Sequence, residues 1–455
     1  MMTIKKNKDK EITSIFIYFK NNQIPKDLKN YSSSLRINDF SPEICLIQNH
    51  NYHIFLNKLE NLDNLQINYF LFILGQKLSF GLKNNDYRVD FCGSAEFKLD
   101  NFFLGWELGT YRFENFKTFK FNYSKPKSVT KKKDLLLQKE VYFFVRDLIN
   151  YPANLLGPKE IYLNTKKFLG KEFSDSIKQG TKLKREFPLV HAVGNASSGE
   201  KKPLFCEFKT SNNSTKKIYL IGKGITFDTG GLNLKLGSGM SLMKKDMGGA
   251  ANCIGLAKLI NSMNLDINIH LLLCLAENSV SENSIRPSDI IKSRSGEFIE
   301  VADTDAEGRL VMADAITYAC ENSPELIIDM STLTGASRVA MGLEVPSFFS
   351  NKNILSNELI KSSKEVGDPL WQLPLWKNYE HQLKSLHADF KNIGANSFGG
   401  AITAALFLNK FVKKEIPWIH IDLMAWSKPT NMIPYEGGEA MGIRALADLI
   451  KKRFK

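Results

Sequence analysis

The sequence predicts an α/β protein in two parts: a small N-terminal α/β domain and a larger C-terminal α/β domain with a mostly parallel central sheet flanked by helices. Three observations carry this expectation. The chain has 455 residues, 43% of them hydrophobic and 24% charged, enough for a full core and for about one to three domains. Composition shifts near residue 125, where aromatic and Lys/Asn-rich segments give way to a basic stretch. Beyond it, short Ile- and Leu-rich runs alternate with helical patterns, as expected of strands buried on both faces of a parallel sheet.

In chain order, the apolar segments 14–19, 69–74 and 102–111 build the N-terminal domain, residues 1–124, which carries no catalytic constellation. Residues 125–150 form a basic linker and a connecting helix. Lys125, Lys127 and Lys131–Lys133 supply the charge, and Leu135, Leu136, Val141, Phe144, Val145 and Leu148 fall at helical spacing. Tyr151-Pro152 and Gly157-Pro158 stop that helix. The larger domain, 151–455, has strand-like runs at 217–226, 267–276, 325–330 and 417–424, and helical candidates at 248–261, 310–321 and 400–413. In such sheets ligands gather at the carboxyl ends of the strands.

Composition excludes several classes. Fractions near globular averages argue against disorder, collagen and coiled coils. The longest apolar runs, such as 271–276, are far short of the roughly 18 residues of a membrane span. The charged residues 1–10 are followed only by the apolar run 15–19, too short for a signal peptide, so a soluble, cytoplasmic protein is expected. Six cysteines lie far apart with no CxxC pair. Cys274 and Cys320 sit in apolar runs as small core residues, and neither a disulfide framework nor a zinc–thiolate site has support. The net charge of +13, from 61 basic and 48 acidic residues, admits nucleic-acid binding at most as a side activity, because no recognition motif accompanies it.

Two segments carry chemistry. The first runs from Gly222-Lys223-Gly224 through Asp228-Thr229-Gly230-Gly231 and Lys235 to Asp246-Met247-Gly248-Gly249; the second is Asp303-Thr304-Asp305-Ala306-Glu307-Gly308-Arg309-Leu310. Asp228, Asp246, Asp305 and Glu307 gathered in one place would repel one another unless cations lay between them. Oxygen-rich sites of this kind suit Mg²⁺, Mn²⁺ and Zn²⁺, and a carboxylate-bridged pair of ions is an arrangement that hydrolyses amides or phosphates. Gly224 after Lys223, where a phosphate loop needs Ser or Thr, excludes a nucleotide-binding loop.

The segment 303–310 resembles the signature Asn-Thr-Asp-Ala-Glu-Gly-Arg-Leu of the leucyl (cytosol) aminopeptidases. Residues 222–251 are similar to the same family's other metal-binding segment, and the likeness extends through 329–336 and 418–422, covering roughly residues 147–455. The resemblance implies that Asp228 and Glu307 bridge two divalent ions, Mn²⁺ or Zn²⁺ with Mg²⁺ as a third candidate. It places Asp305 at the looser site and Asp246 with Lys223 at the tighter one. Lys235 would polarise the scissile carbonyl, and Arg309 would hold a bicarbonate serving as general base. Met243, Thr332, Leu333 and Gly335 would line the pocket for the substrate's first side chain, favouring apolar residues. It further implies a homohexamer acting on short peptides, with 151–455 as the catalytic domain.

Each residue also has an ordinary alternative: Asp246 as a helix N-cap, Lys223 and Lys235 as surface lysines, Arg309 as a partner of Glu307. His270, inside an apolar strand, is expected to be a core histidine. Two departures from the family pattern stand out. Asp303 replaces the usual Asn, which adds a negative charge beside the metals and bears on metal preference or the hold on the substrate amine, and Met424-Ala425-Trp426 stands where small residues are common. The competing classes are another dinuclear hydrolase, such as a phosphoesterase, and a nucleic-acid-binding protein with a secondary peptidase site.

Overall fold

The computed structural model describes residues 13–19, 45–48, 51–56, 62–82, 86–92, 98–118, 126–212, 214–430, 433 and 435–455. The charged residues 1–10, Lys125 and Pro434 lie outside them. The chain divides into two compact units, one comprising Met1–Glu140, Glu365–Gly367 and Pro429–Tyr435, the other Val141–Lys364, Asp368–Lys428 and Glu436–Lys455. The division falls inside the helix Lys133–Asn150. No helix among the described residues is long and apolar enough to cross a membrane.

The smaller unit holds a four-stranded sheet of β1 (Thr13–Tyr18), β2 (Cys45–Gln48), β3 (Asn51–Phe55) and β4 (Tyr87–Cys92) in the order β2-β3-β1-β4. β1 runs parallel to β3 and β4, and β2 antiparallel to β3. Ile15, Ile17, Leu71, Leu74, Phe102 and Trp106 form its core. Its helices Asn64–Gly81 and Asp100–Gly109 touch backbone to backbone: a Cβ on Gly105 would stand 1.9 Å from the carbonyl oxygen of Phe72.

The larger unit is built on an eight-stranded sheet, ordered β13-β12-β15-β11-β7-β8-β6-β5. Its strands are β5 (Ser174–Lys178), β6 (Leu204–Lys209), β7 (Lys217–Asp228), β8 (Asn268–Asn278), β11 (Leu326–Ser331), β12 (Ser347–Ser350), β13 (Trp371–Gln372) and β15 (Trp418–Asp422). A small separate sheet joins β9 (Ile290–Lys292), β10 (Phe298–Glu300) and β14 (Phe390–Lys391). The central pairings β15–β11, β11–β7 and β7–β8 are parallel, as is β12–β13, whereas β12–β15, β8–β6 and β6–β5 are antiparallel. The expected mostly parallel sheet flanked by helices is thus present, with antiparallel strands towards its edges.

The four anticipated strands are β7, β8, β11 and β15, and the anticipated helices appear as Gly248–Asn261, Glu307–Glu321 and Gly400–Asn409. Cys274 and Cys320 are buried as expected, and they, like Cys92, Cys206 and Cys253, form no disulfide. His270 is not a bare core histidine. Its Nδ1 pairs with Glu207 Oε1 at 2.8 Å and its ring stacks on Tyr219 at 4.4 Å.

Two features of the sheet place the site. Along β7, Gly222 and Gly224 face the helix Gly248–Asn261, where a Cβ on Gly222 would stand 2.5 Å from Ala250 Cα. Lys223 between them points to the opposite face by the two-residue alternation of a strand. Between β11 and β15, the fully buried Asp329 receives the Trp418 Nε1–H at 2.5 Å and pairs with His420, its neighbour in the register. Burial lowers the His420 imidazole but the Asp329 charge outweighs it, so the ring is held above its ordinary range.

Candidate metal centre

The carboxyl ends of β7, β8 and β11 and the starts of two helices converge on one acidic cluster. Asp228 closes β7, Asp246 lies in the 3₁₀ turn Met243–Met247, and Glu307 is the first residue of the helix Glu307–Glu321, where the helix dipole favours an anion. One carboxylate oxygen from each of Asp228, Asp305 and Glu307 lies within 4.8 Å of the others. Lys223 Nζ is 2.7 Å from Asp246 Oδ2 and 2.9 Å from Glu307 Oε1. Lys235 Nζ is 2.8 Å from Asp228 Oδ2 and in contact with Asp305 Oδ1. The acids therefore form two overlapping groups sharing Glu307.

Lys223 reaches this point only because residue 308 is glycine, as a Cβ there would stand 2.6 Å from Lys223 Cε. Gly308→Ala is expected to overpack the site at a cost of about 1–3 kcal/mol and to displace Lys223, lowering the thermal midpoint and the bound metal together. Calorimetry and metal analysis of one sample check this, and a variant retaining both would show the contact to be dispensable.

Electrostatics follow from burial and crowding. Burial and the Asp228 charge push Glu307 up to about 8 and Asp305 up to about 6. For Lys223 burial works downward, but Asp246, Glu307 and Asp228 outweigh it and the amine lies well above its ordinary range. Lys235 is raised in the same way by Asp228 and Asp305. Although Lys223 is in ionic contact with Asp246 Oδ2 and Glu307 Oε1, these two atoms and Glu307 Oε2 are buried without hydrogen-bond geometry to any partner among the described residues. Acceptor oxygens left this way are costly unless a cation takes them up.

The ordinary alternatives fail. The helix after Asp246 takes no side-chain cap, and Lys223 is 2% exposed. Arg309 is buried, donates from Nη1 to the Asn392 carbonyl at 2.9 Å, and has an Nε with no partner among the described residues. Burial lowers its guanidinium to about 10 against the opposing pull of Glu307. Asp303 Oδ1 accepts the Asp305 N–H at 2.8 Å, an acceptor role that an Asn oxygen serves equally. Thr332 Oγ1 donates to Asp246 Oδ1 at 2.6 Å. Met243 opens the turn that carries Asp246, Leu333 donates its N–H to Asp422 at 3.0 Å, and Gly335 is exposed. None of these last three touches a cluster carboxylate directly. Trp426 is buried, and Ala425 is the close neighbour of Gly248.

Sequence reasoning missed the asparagines that hold the cluster. Asn278 donates to Asp228 Oδ1 at 2.8 Å and to the Thr304 carbonyl at 3.1 Å. Asn392 accepts from the Ala302 and Asp303 N–H groups and donates to the Asp303 and Ala306 carbonyls. The position of Asn278, two residues past a strand-like run, was a usable signal. Asn392 offered none.

A profile of the cytosol aminopeptidase family, catalytic domain, matches residues 143–447. The chain belongs to this family. A relative from Sulfurihydrogenibium sp. named "Probable cytosol aminopeptidase" is 40% identical over 321 residues, 70% of this chain and 63% of its own length. One of the same name from Sinorhizobium fredii is 37% identical over 389 residues, 81% of this chain and 77% of its own. Matches to the first of these family members span less than two thirds of their length, 62–64%. The crystal structure of the cytosol aminopeptidase from Coxiella burnetii superposes with a TM-score of 0.85 at 33% identity over 99% of both chains. The bottromycin maturation enzyme BotP in complex with Mn, at 22% identity and a TM-score of 0.82, covering 98% of this chain and 100% of its own, shares the fold.

Proposed function

We propose that the protein is a metal-dependent aminopeptidase, releasing residues from the free N-terminus of short peptides. The observation that carries this is the set of buried carboxylate oxygens without hydrogen bonds, on Asp246 and Glu307, beside Asp228 and Asp305 in a chain of this family. The donor set fits two divalent ions: Asp228 and Glu307 would bridge them, Asp305 would complete one site, and Asp246 with Lys223 the other. Mn²⁺, Zn²⁺ and Mg²⁺ all suit it. Bound there, the ions would supply Lewis-acid polarisation and lower the pKa of a nucleophilic water. Lys223 would act as a ligand only as the neutral amine, so its proton must leave on loading.

The other side chains act directly. Lys235, held protonated by Asp228 and Asp305, presents a fixed positive charge to the carbonyl oxygen as negative charge develops on it. The open Nε of Arg309 suits a planar anion such as bicarbonate, which would supply a general base. Asp246, Asp303 and Asp305 surround the place of the substrate's first residue with negative charge, favouring a free ammonium over an internal peptide bond. Met243, Thr332, Leu333 and Gly335 border the first side chain. Residues 151–455 would be the catalytic domain, with 1–124 a separate domain joined through 125–150. A homohexamer is carried on the resemblance alone. The family match weighs against a phosphoesterase, and Lys127 and Lys132 of the basic stretch are paired with Asp86 and Asp100.

A short unblocked peptide should be trimmed from its first residue while the N-acetylated peptide stays intact. Dialysis against a chelator should abolish trimming, and Mn²⁺, Zn²⁺ or Mg²⁺ should restore it, as mass spectrometry of the products would show. Cleavage of the acetylated peptide, or activity indifferent to chelation, would refute the proposal.

A further inference from the structure

The loop that presents Lys235 has little packing to hold it. Leu232, Leu234 and Leu236 alternate along it with Asn233 and Lys235, and all three leucines are exposed, the last by 89%. A segment that buries so little apolar surface opens easily unless hydrogen bonds fasten it. The Lys235 ammonium is nevertheless held at Asp228 Oδ2 and Asp305 Oδ1, which belong to different segments of the chain. Hydrogen bonds to Thr304 account for this.

Gly230 and Gly231 turn the chain after Asp228 at φ +87° and +64°, and the Lys235 N–H closes the loop on the Thr229 carbonyl at 2.9 Å. Within the loop, Asn233 and Thr304 bond reciprocally. The Asn233 N–H donates to Thr304 Oγ1 at 2.8 Å, and Asn233 Oδ1 accepts the Thr304 N–H at 2.9 Å. The Thr304 hydroxyl has the Gly230 carbonyl at 2.6 Å and Asn233 Oδ1 at 3.0 Å as acceptors. Its carbonyl takes Asn278, which also holds Asp228. Every polar group of this fully buried residue is thus spent on the Lys235 loop or on Asn278. A Cβ on Gly231 would stand 2.9 Å from Thr304 Oγ1, so loop and threonine meet without room to slide.

We propose that Asn233 and Thr304 are positioning residues for Lys235. Their paired hydrogen bonds pin an exposed loop to the turn that carries Asp305, and so keep the ammonium aimed at the scissile carbonyl. The proposal rests on the role of Lys235 in the aminopeptidase reading. A charge that meets a developing oxyanion acts best when it is fixed beforehand, and a displacement of about 1 Å costs about a hundredfold in rate. Neither residue touches the substrate; both act through Lys235.

The test compares the full Mn²⁺-loaded chain with Asn233→Ala, Thr304→Val and Thr304→Ser, each alone and combined with Lys235→Met. The substrate is the best cleaved of the Leu, Met, Glu and Lys aminomethylcoumarin amides. Asn233→Ala and Thr304→Val should each lower kcat about tenfold or more with KM within about twofold and metal content unchanged. Thr304→Ser, which keeps the hydroxyl, should stay within about threefold of wild type. Combined with Lys235→Met, the same substitutions should lower kcat no further, because the group they aim is gone. In the metal-free protein, hydrogen exchange over residues 229–236 should be about tenfold faster in both damaging variants. Should Thr304→Val fail to fold, Asn233→Ala on the exposed loop carries the same cycle. Unchanged kcat or unchanged exchange overturns the proposal, as does a loss of metal that matches the loss of rate. A fall in kcat that multiplies with that of Lys235→Met overturns it too. Inactivity of the metal-loaded wild type on all four amides overturns the aminopeptidase reading itself, and this proposal with it.

Discussion

Replacing Glu307 with Ala is expected to abolish hydrolysis and metal retention in the same variant. Its two oxygens are buried and lack hydrogen-bonded partners among the described residues, and one lies 2.9 Å from Lys223 on the Asp246 side. Another of its contacts is the group it forms with Asp228 and Asp305 within 4.8 Å. A single carboxylate thus belongs to both halves of the cluster, and its loss leaves Lys223 with only Asp246 in direct ionic contact. Losing both ions should remove about 4 kcal/mol or more of transition-state stabilisation, roughly a thousandfold in rate. Elemental analysis and the peptide assay on the same preparation check this; near-normal turnover or full metal content in that variant would break the two-site scheme.

Lys235→Met should separate what Glu307→Ala joins. The ammonium group touches Asp228 and Asp305 from the more open side of the cluster, with a side chain 15% exposed. Methionine keeps most of its length and none of its charge. Metal content should stay at the wild-type level, because removing a cation from beside Asp228 and Asp305 leaves both acids more available to ions. The turnover number should fall by about 10²–10³, the usual loss on deleting one preorganised charge aimed at an oxyanion, with KM little changed. A fall in metal content equal to the fall in rate would reassign Lys235 from the reaction to the ion site.

Much of the cluster was legible in the chain because its members sit in two short segments whose residue types have few other uses together. Asp228, Asp246, Asp305 and Glu307 could be named from those segments and their resemblance to the aminopeptidase family, and β7, β8, β11 and β15 from their runs of Ile and Leu. What escaped notice depended on distant pairing. Asn392 acts on Ala302 and Asp303 across about ninety residues of chain, and no local pattern marks an asparagine for that task. In the sequence the alternation of Gly222, Lys223 and Gly224 reads as a failed phosphate loop and as part of a metal-binding segment, without a reason for the two glycines. Its purpose depends on which helix covers each face of β7, and a linear pattern does not state that.

The buried bond network between β11 and β15 has a consequence for how the chain reaches its final form. Asp329 lies 89 and 91 positions before Trp418 and His420 in the chain, so these bonds form only when β15 pairs with β11 in its native register. A pairing shifted along the strand would seal a lone carboxylate in hydrocarbon, a heavy penalty. Wrong alignments are thereby proofread, and Ser331 and Asp422 arrive level with each other at the strand ends on which the chemistry depends.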